Sequence, residues 1–284
     1  GRFVKESIME KIELTIRESQ LAALEILKKI DEYCNKLDIK YWLMYGTLIG
    51  AVRHDGFIPW DDDLDIAMFQ DDYMKFSSFF QKNQGDLLPL EIHNQNTNED
   101  CFFNIVRVCD KRYFLEFDGM NYVSGIFVDI YVFEGLGRKQ DLKYWEKRFK
   151  KYDYYRKMVY MSCNTSIFYG SNFIHKIANL PWNIISKIRG KKYYIDKFNS
   201  YKKFSLKDSD YVGVPSWEKV LYKKTLFTKV VRKNFEGYQF LIPMKYDELL
   251  KIDYGNYMEL PDVTERCPHH GYRAYKIIEN KVEK

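Results

Sequence analysis

An α+β fold, with helices flanking a mixed β-sheet and a basic, aromatic-rich helical lobe beside it, is predicted by three features of this sequence. Short apolar runs separated by polar or Gly-containing turns occupy the stretch from Tyr41 to Phe133, as strands of one sheet do. A segment of helical periodicity precedes them. From Lys139 to about Lys207 the pattern becomes helical, rich in Lys and Arg, and crowded with Tyr and Phe.

From Ile8 to Asn35, Leu21, Leu24, Leu27, Ile30 and Cys34 recur on one face while Glu25, Lys28, Lys29 and Glu32 turn away, which predicts an amphipathic helix. Tyr41 to Tyr45, bounded by Gly46, reads as a buried strand. Thr47 is expected to cap a short helix, Leu48 to Arg53, that ends before Asp55-Gly56. A loop through Trp60 leads to a second strand, Asp63 to Phe69, and Asp71 is expected to cap a helix reaching about Lys82. Further strands are expected at Leu88–Ile92, Phe102–Val108, Tyr113–Phe117 and Ile126–Phe133. After the basic helical region, interrupted at Pro181, come short strands at Tyr211–Val214 and Leu226–Val231, then a helix, Tyr246–Tyr254, stopped by Gly255. Without repeats or low-complexity linkers, two closely packed units are expected: a mixed-sheet core over 1–138, and over 139–284 a helical lobe with a C-terminal element packed on the core.

The 284 residues carry 45 Lys+Arg against 40 Asp+Glu, a formal charge of +5, and 46% hydrophobic residues. That composition buries a core and excludes a disordered chain. The mild positive charge suits an anionic partner, but no nucleic-acid module is recognisable and no nucleic acid is expected. The five cysteines are scattered and form no C-x-x-C pair, which fits a reducing compartment. No run of eighteen apolar residues occurs, so the expectation is a cytoplasmic protein, with peripheral contact at the inner face of the membrane as a second possibility.

Chemistry concentrates in Trp60-Asp61-Asp62-Asp63-Leu64-Asp65-Ile66. Alternation in a strand places Asp63 and Asp65 on one face, about 6–7 Å apart, with Leu64 and Ile66 behind them in the core. Asp129 interrupts the apolar strand Gly125 to Val132, and a buried strand rarely carries a lone acid without a partner. If the two strands are neighbours, three carboxylates converge. At about 4 Å and an effective dielectric near 20 each like-charge contact costs about 4 kcal/mol, so the cluster calls for a cation. An all-oxygen ligand set favours Mg²⁺ or Mn²⁺. Gly46-Thr47 supplies a matching phosphate element, in which Gly permits close backbone approach, Thr offers a hydroxyl, and the following helix start presents N–H groups.

The run from Gly46-Thr47-Leu48-Ile49-Gly50 through Arg53-His54-Asp55-Gly56 to Trp60-Asp61-Asp62-Asp63-Leu64-Asp65-Ile66 closely resembles the signature of the LicD family, which transfers phosphocholine and related phospho-alcohols to cell-surface glycans and includes the fukutin-type ribitol-phosphate transferases. The resemblance implies a nucleotidyltransferase-superfamily fold in which Asp63, Asp65 and Asp129 hold the metal and Gly46 and Thr47 the donor phosphates. Pro243 to Tyr257, followed by Leu260-Pro261 and His269-His270, is similar to the family's C-terminal element. Cys101–Asp110 departs from the family's pattern, with Asn104 and Val108 where charges are expected, so no phosphate contact is assigned to Arg107.

Arg53 and His54 follow the turn, and a fork of N–H donors there suits a diphosphate. His269-His270 with Cys267 lacks a fourth zinc ligand at suitable spacing; a structural or acceptor-side role is expected. The resulting expectation is a metal-dependent phosphotransferase that moves a phospho-alcohol, phosphocholine first, from a CDP-activated donor to a hydroxyl of a glycan such as lipopolysaccharide or teichoic acid, or of its lipid-linked precursor. Two alternatives stay open: transfer of a nucleoside monophosphate from a triphosphate, and a non-catalytic glycan- or membrane-binding protein on the same scaffold. Phe173–Ile188, with Ile174, Ile177, Ile184 and Ile185 interspersed with Lys176 and Lys187, is expected either to face the core or to lie at a membrane interface.

Overall fold

The structure, a computed structural model, describes residues 8–280 except 96, 99, 169 and 269–271. His269 and His270 therefore lie outside the described residues. The chain opens with strand β1 (Ile8–Glu13) and helix α1 (Ile16–Lys36), so the first residues assigned to the helix are a strand instead. The switch falls at Thr15, whose side chain accepts from the Glu18 N–H while Glu18 reaches back to the Thr15 N–H, a capping box that fixes where helix begins. Leu24, Leu27, Ile30 and Cys34 are buried as expected, whereas Leu21 is exposed and Ile26 takes the core position.

Next come β2 (Tyr41–Leu43), α2 (Tyr45–Arg53), β3 (Asp65–Phe69), α3 (Gln70–Lys82), β4 (Leu90–His93), β5 (Val106–Phe117) and β6 (Val123–Gly135). Neither short helix is capped as the sequence suggested. The residue before α2 is Met44 and Thr47 sits inside its first turn; Phe69 precedes α3, and Asp71 and Asp72 occupy the first turn, where they complement the helix dipole. β5 joins two expected strands through an irregularity between Asp110 and Leu115, and residues 102–105 are not strand.

Helices α4 (Leu142–Phe149), α5 (Tyr152–Cys163) and α6 (Phe173–Asn199) form the lobe. Pro181 does not interrupt α6; the break is at Gly190, whose φ of 79° lies in the left-handed region. Strands β7 (Tyr211–Gly213) and β8 (Tyr222–Lys223) follow, then a hairpin of β9 (Val230–Phe235) and β10 (Tyr238–Pro243), helix α7 (Tyr246–Tyr254) and strand β11 (Tyr272–Asn280).

Among the described residues the main sheet runs β1-β11-β5-β6-β3-β2, with β4 on β5 and β7 on β6. Only β3 and β6 in this path pair in parallel. One large core joins α1, the central strands and the aromatic layer of Trp42, Phe133 and Phe227; a separate small cluster of Met158, Val159, Met161 and Tyr194 holds α5 to α6.

Candidate active site

The parallel pair β3–β6 sets the register that matters, because it places Asp65 opposite Asp129. Adjacent strands lie about 4.8 Å apart, and residues in register project to the same face, so two buried carboxylates become neighbours. The Asp129 N–H donates to the Leu64 carbonyl at 2.9 Å, which extends the pairing one residue upstream. Asp61, Asp62 and Asp63 arrive from the loop before β3, half-buried, with one carboxylate oxygen of each within 4.8 Å of the other two. Asp63 precedes the strand rather than opening it, and strand alternation therefore does not separate Asp62 from Asp63.

Asp65 is the electrostatic focus. Burial raises its pKa well above the ordinary carboxylate range, Asp63, Asp129 and Asp61 raise it further, and Arg107 works in the opposite direction. Its Oδ1 is buried without a hydrogen-bond partner. A carboxylate so placed, with three others around it, is a donor set of oxygens alone, which a hard divalent cation such as Mg²⁺ or Mn²⁺ would fit.

Arg107, to which no phosphate contact is assigned from the sequence, is the buried counter-ion of Asp129. Its Nε donates to Oδ1 at 2.7 Å and its Nη2 to Oδ2 at 3.3 Å, while the rings of Phe103 and Phe127 sandwich the guanidinium at 3.7 Å on each side. Burial opposes that charge, but Asp129 outweighs it and holds the guanidinium protonated more firmly than usual. The signal present in the sequence was Arg107 two residues beyond Ile105 in an apolar strand, facing Asp129 only once β5 and β6 are in register.

Gly46 and Thr47 are differently occupied from what the sequence suggests. The Thr47 hydroxyl is buried and accepts from the Asp65 N–H at 2.8 Å, so it positions the carboxylate strand. At Gly46 a Cβ would come within 2.6 Å of the Asp61 Oδ2; the close approach that requires glycine is to an aspartate of the cluster. Arg53 Nη1 donates to the carbonyls of Tyr257 and Glu259 at 2.6 and 3.0 Å, tying α2 to the C-terminal element. Burial and then Arg266 lower its pKa; burial and then Arg53 lower that of His54. Arg53 and Arg266, the latter over the Trp60 ring at 5.5 Å, form a cationic corner beside the acidic loop, with His54 beside Arg53 as an imidazole whose charged form is disfavoured.

The loop itself is held from three directions. Buried Gln20 of α1 donates to the carbonyls of Ile58 and Asp61, the Tyr272 hydroxyl of β11 donates to the Asp62 carbonyl at 2.8 Å, and Glu236 accepts from the Phe57 N–H while paired with Arg17. Tyr131, Tyr254 and Tyr272 line the same centre: burial, then nearby carboxylates, raise each hydroxyl's pKa. A cavity of about 720 Å³ opens between the sheet and the lobe and meets one of about 320 Å³ at Gln95, Asn104 and Ser216; Phe103 and Tyr131 form walls shared with the acidic centre.

A family model described as LicD/FKTN/FKRP, nucleotidyltransferase domain, matches residues 38–181. The chain is 33% identical over 273 residues to the lipopolysaccharide cholinephosphotransferase LicD of Haemophilus influenzae, covering 92% of this chain and 98% of that one. Shorter matches are to the human ribitol 5-phosphate transferase FKRP, 47% identical over 34 residues (12% of this chain, 7% of that one), and to human ribitol-5-phosphate transferase FKTN, 36% over 52 residues (18% and 11%).

Proposed function

The chain belongs to the LicD family, and from that membership we propose that it is a metal-dependent phosphotransferase moving a phospho-alcohol, phosphocholine first, from a CDP-activated donor to a hydroxyl of a cell-surface glycan or its lipid-linked precursor. The observation that carries the reading is the set of acids gathered around Asp65, with an orphaned Oδ1, on a chain similar to a cholinephosphotransferase over nearly its whole length.

Asp63, Asp65 and Asp129 would hold Mg²⁺ or Mn²⁺, with Asp61 beside them. The chemistry that such an ion would supply is neutralisation of the donor diphosphate and of the charge developing on the leaving CMP. The chain's own residues do the rest. Arg107 pairs with Asp129 and fixes it, Thr47 fixes the Asp65 backbone, and the cationic corner of Arg53 and Arg266 attracts the diphosphate, with His54 available as a neutral hydrogen-bonding group. The acceptor oxygen bonds to the phosphorus bearing the alcohol, the bond from that phosphorus to CMP breaks, and the acceptor proton passes to a carboxylate of the same centre, with Asp129 orienting the hydroxyl. Positioning and charge compensation supply most of the rate.

The test is to incubate the purified protein and Mg²⁺ with CDP-choline, CDP-ethanolamine, CDP-glycerol and CDP-ribitol and a glycan acceptor, reading CMP release and acceptor mass. CMP release with a matching mass gain, lost in EDTA while the fold persists, is the expected result. Pyrophosphate release from CTP with no reaction of any CDP-alcohol would replace this reading with nucleotidyl transfer.

A further inference from the structure

Before its break at Gly190, helix α6 is inside out, whereas beyond it Tyr194 and Phe198 are buried as in an ordinary surface helix. Phe173, Ile177, Pro181, Ile184 and Ile188, spaced four, four, three and four residues apart, share one side of the helix, and all are exposed, Phe173 and Ile188 by 75% and 79%. Ile174, also 75% exposed, widens the stripe. The residues α6 turns into the protein include Asn183 and Ser186, both fully buried. An ordinary surface helix does the reverse, and a contiguous exposed apolar stripe marks a surface built to be covered.

Charge identifies the cover. Between Tyr154 and Ile195 the chain carries seven Lys and Arg and no Asp or Glu. Lys176, Arg189 and Lys192 are exposed along α6, and exposed Trp182 and Tyr193 add the amphipathic aromatics that favour a lipid–water boundary. A second copy docked through the same face would oppose like charges. An anionic bilayer would complement them. No helix among the described residues is long and apolar enough to cross a membrane, so the contact is one of lying on the surface.

We propose that the α6 face is a membrane-docking surface, in which the Phe173–Ile188 stripe inserts among the acyl chains of an anionic bilayer while the flanking Lys and Arg contact lipid phosphates. The proposal rests on α6 and not on the transfer chemistry, so either can fail without the other.

The experiment is co-sedimentation of the full chain with vesicles of phosphatidylcholine alone and of phosphatidylcholine mixed with phosphatidylglycerol, at low and high salt. Binding is expected on the anionic vesicles, weakened by salt, and reduced about tenfold or more by Ile177→Glu with Ile184→Glu. Both isoleucines are exposed, and an unchanged thermal transition of the variant shows that the fold is retained. CMP release by the same variant with a water-soluble acceptor is expected to match the wild type. Absence of binding to anionic vesicles at low salt would overturn the proposal, as would equal binding by the variant. A lipid-free dimer in sedimentation velocity that the variant dissociates would assign the face to a second copy instead.

Discussion

In the sheet, buried polar groups are gathered against one another: Asp129 is met by Arg107, Asp110 by Arg112 and the Asp65 N–H by Thr47, while Asp65 Oδ1, without a hydrogen-bond partner, lies among the acids of the same centre. In α6, Asn183 is fully buried and neither its Oδ1 nor its Nδ2 has a hydrogen-bond partner, while isoleucines face out. The two regions bury polar groups to different ends. The sheet spends its polar burial on holding charges at fixed positions, which is what a reacting centre needs. The lobe, with a small core of its own, leaves its apolar surface for something outside the chain.

That contrast can be broken first at its strongest point. Arg107→Met leaves the Asp129 carboxylate buried without its counter-ion and is expected to cost about 3–5 kcal/mol of stability, read from urea unfolding, together with loss of transfer. A change below about 1 kcal/mol would mean that the pair is not buried in solution.

Asp63→Asn and Asp65→Asn are expected to lower transfer by about 10²–10³-fold with the fold intact, measured as CMP release. They should differ in stability. Burial and three neighbouring acids disfavour the ionised form of Asp65, a cost that the uncharged amide does not carry, so Asp65→Asn is expected to melt at a higher temperature than the wild type at neutral pH; a lower melting temperature would place a compensating cation in the resting protein.

Thr47→Val removes the acceptor for the buried Asp65 N–H and should cost about 1–3 kcal/mol, with a fall in transfer that Thr47→Ser restores.

Glu218 sharpens the comparison through pH. Burial lifts its pKa from the ordinary 4.5 to about 8, so the folded state holds a proton that the unfolded state has released. Stability from this group is therefore present below about pH 4.5 and is lost as pH rises toward 8. Glu218→Gln is expected to flatten the decline in melting temperature between pH 5 and 8. An unchanged slope would assign the decline to other groups.

The smallest effect belongs to the lobe. Ile188→Ser, at a side chain 79% exposed, is expected to shift stability by less than about 0.5 kcal/mol. A loss comparable with a core substitution would show that the stripe is already covered by the protein itself.

Much of this was legible because it depends on local pattern. The acid-bearing strands, the apolar run through Asp129 and the helix stopped at Gly255 follow from periodicity and punctuation. The partnership of Asp65 with Asp129 needed only that the two strands be neighbours. What escaped reading depends on register or on distant segments: Arg107 acquires its role through the β5–β6 pairing, Gln20 and Tyr272 reach the acidic loop from far along the chain, and Arg53 is drawn to carbonyls near residue 258. At Thr47 a hydroxyl near a helix start looks the same in sequence whether it meets a cap, a phosphate or a neighbouring strand, and here it accepts from the Asp65 N–H.

Strand β11 lies between β1 and β5, and its Tyr272 ties down the Asp62 carbonyl. A ribosome making this chain releases β5 and the acidic loop long before β11 emerges. Until then residues 113–117 of β5, beyond the stretch that β4 covers, stand unpaired on that edge and the loop lacks one of its anchors, so the nascent protein is exposed to edge-to-edge association and its acidic centre is incomplete. Competence should therefore arrive late in biogenesis, after residue 272 has cleared the exit tunnel, and not when the carboxylates themselves have been made.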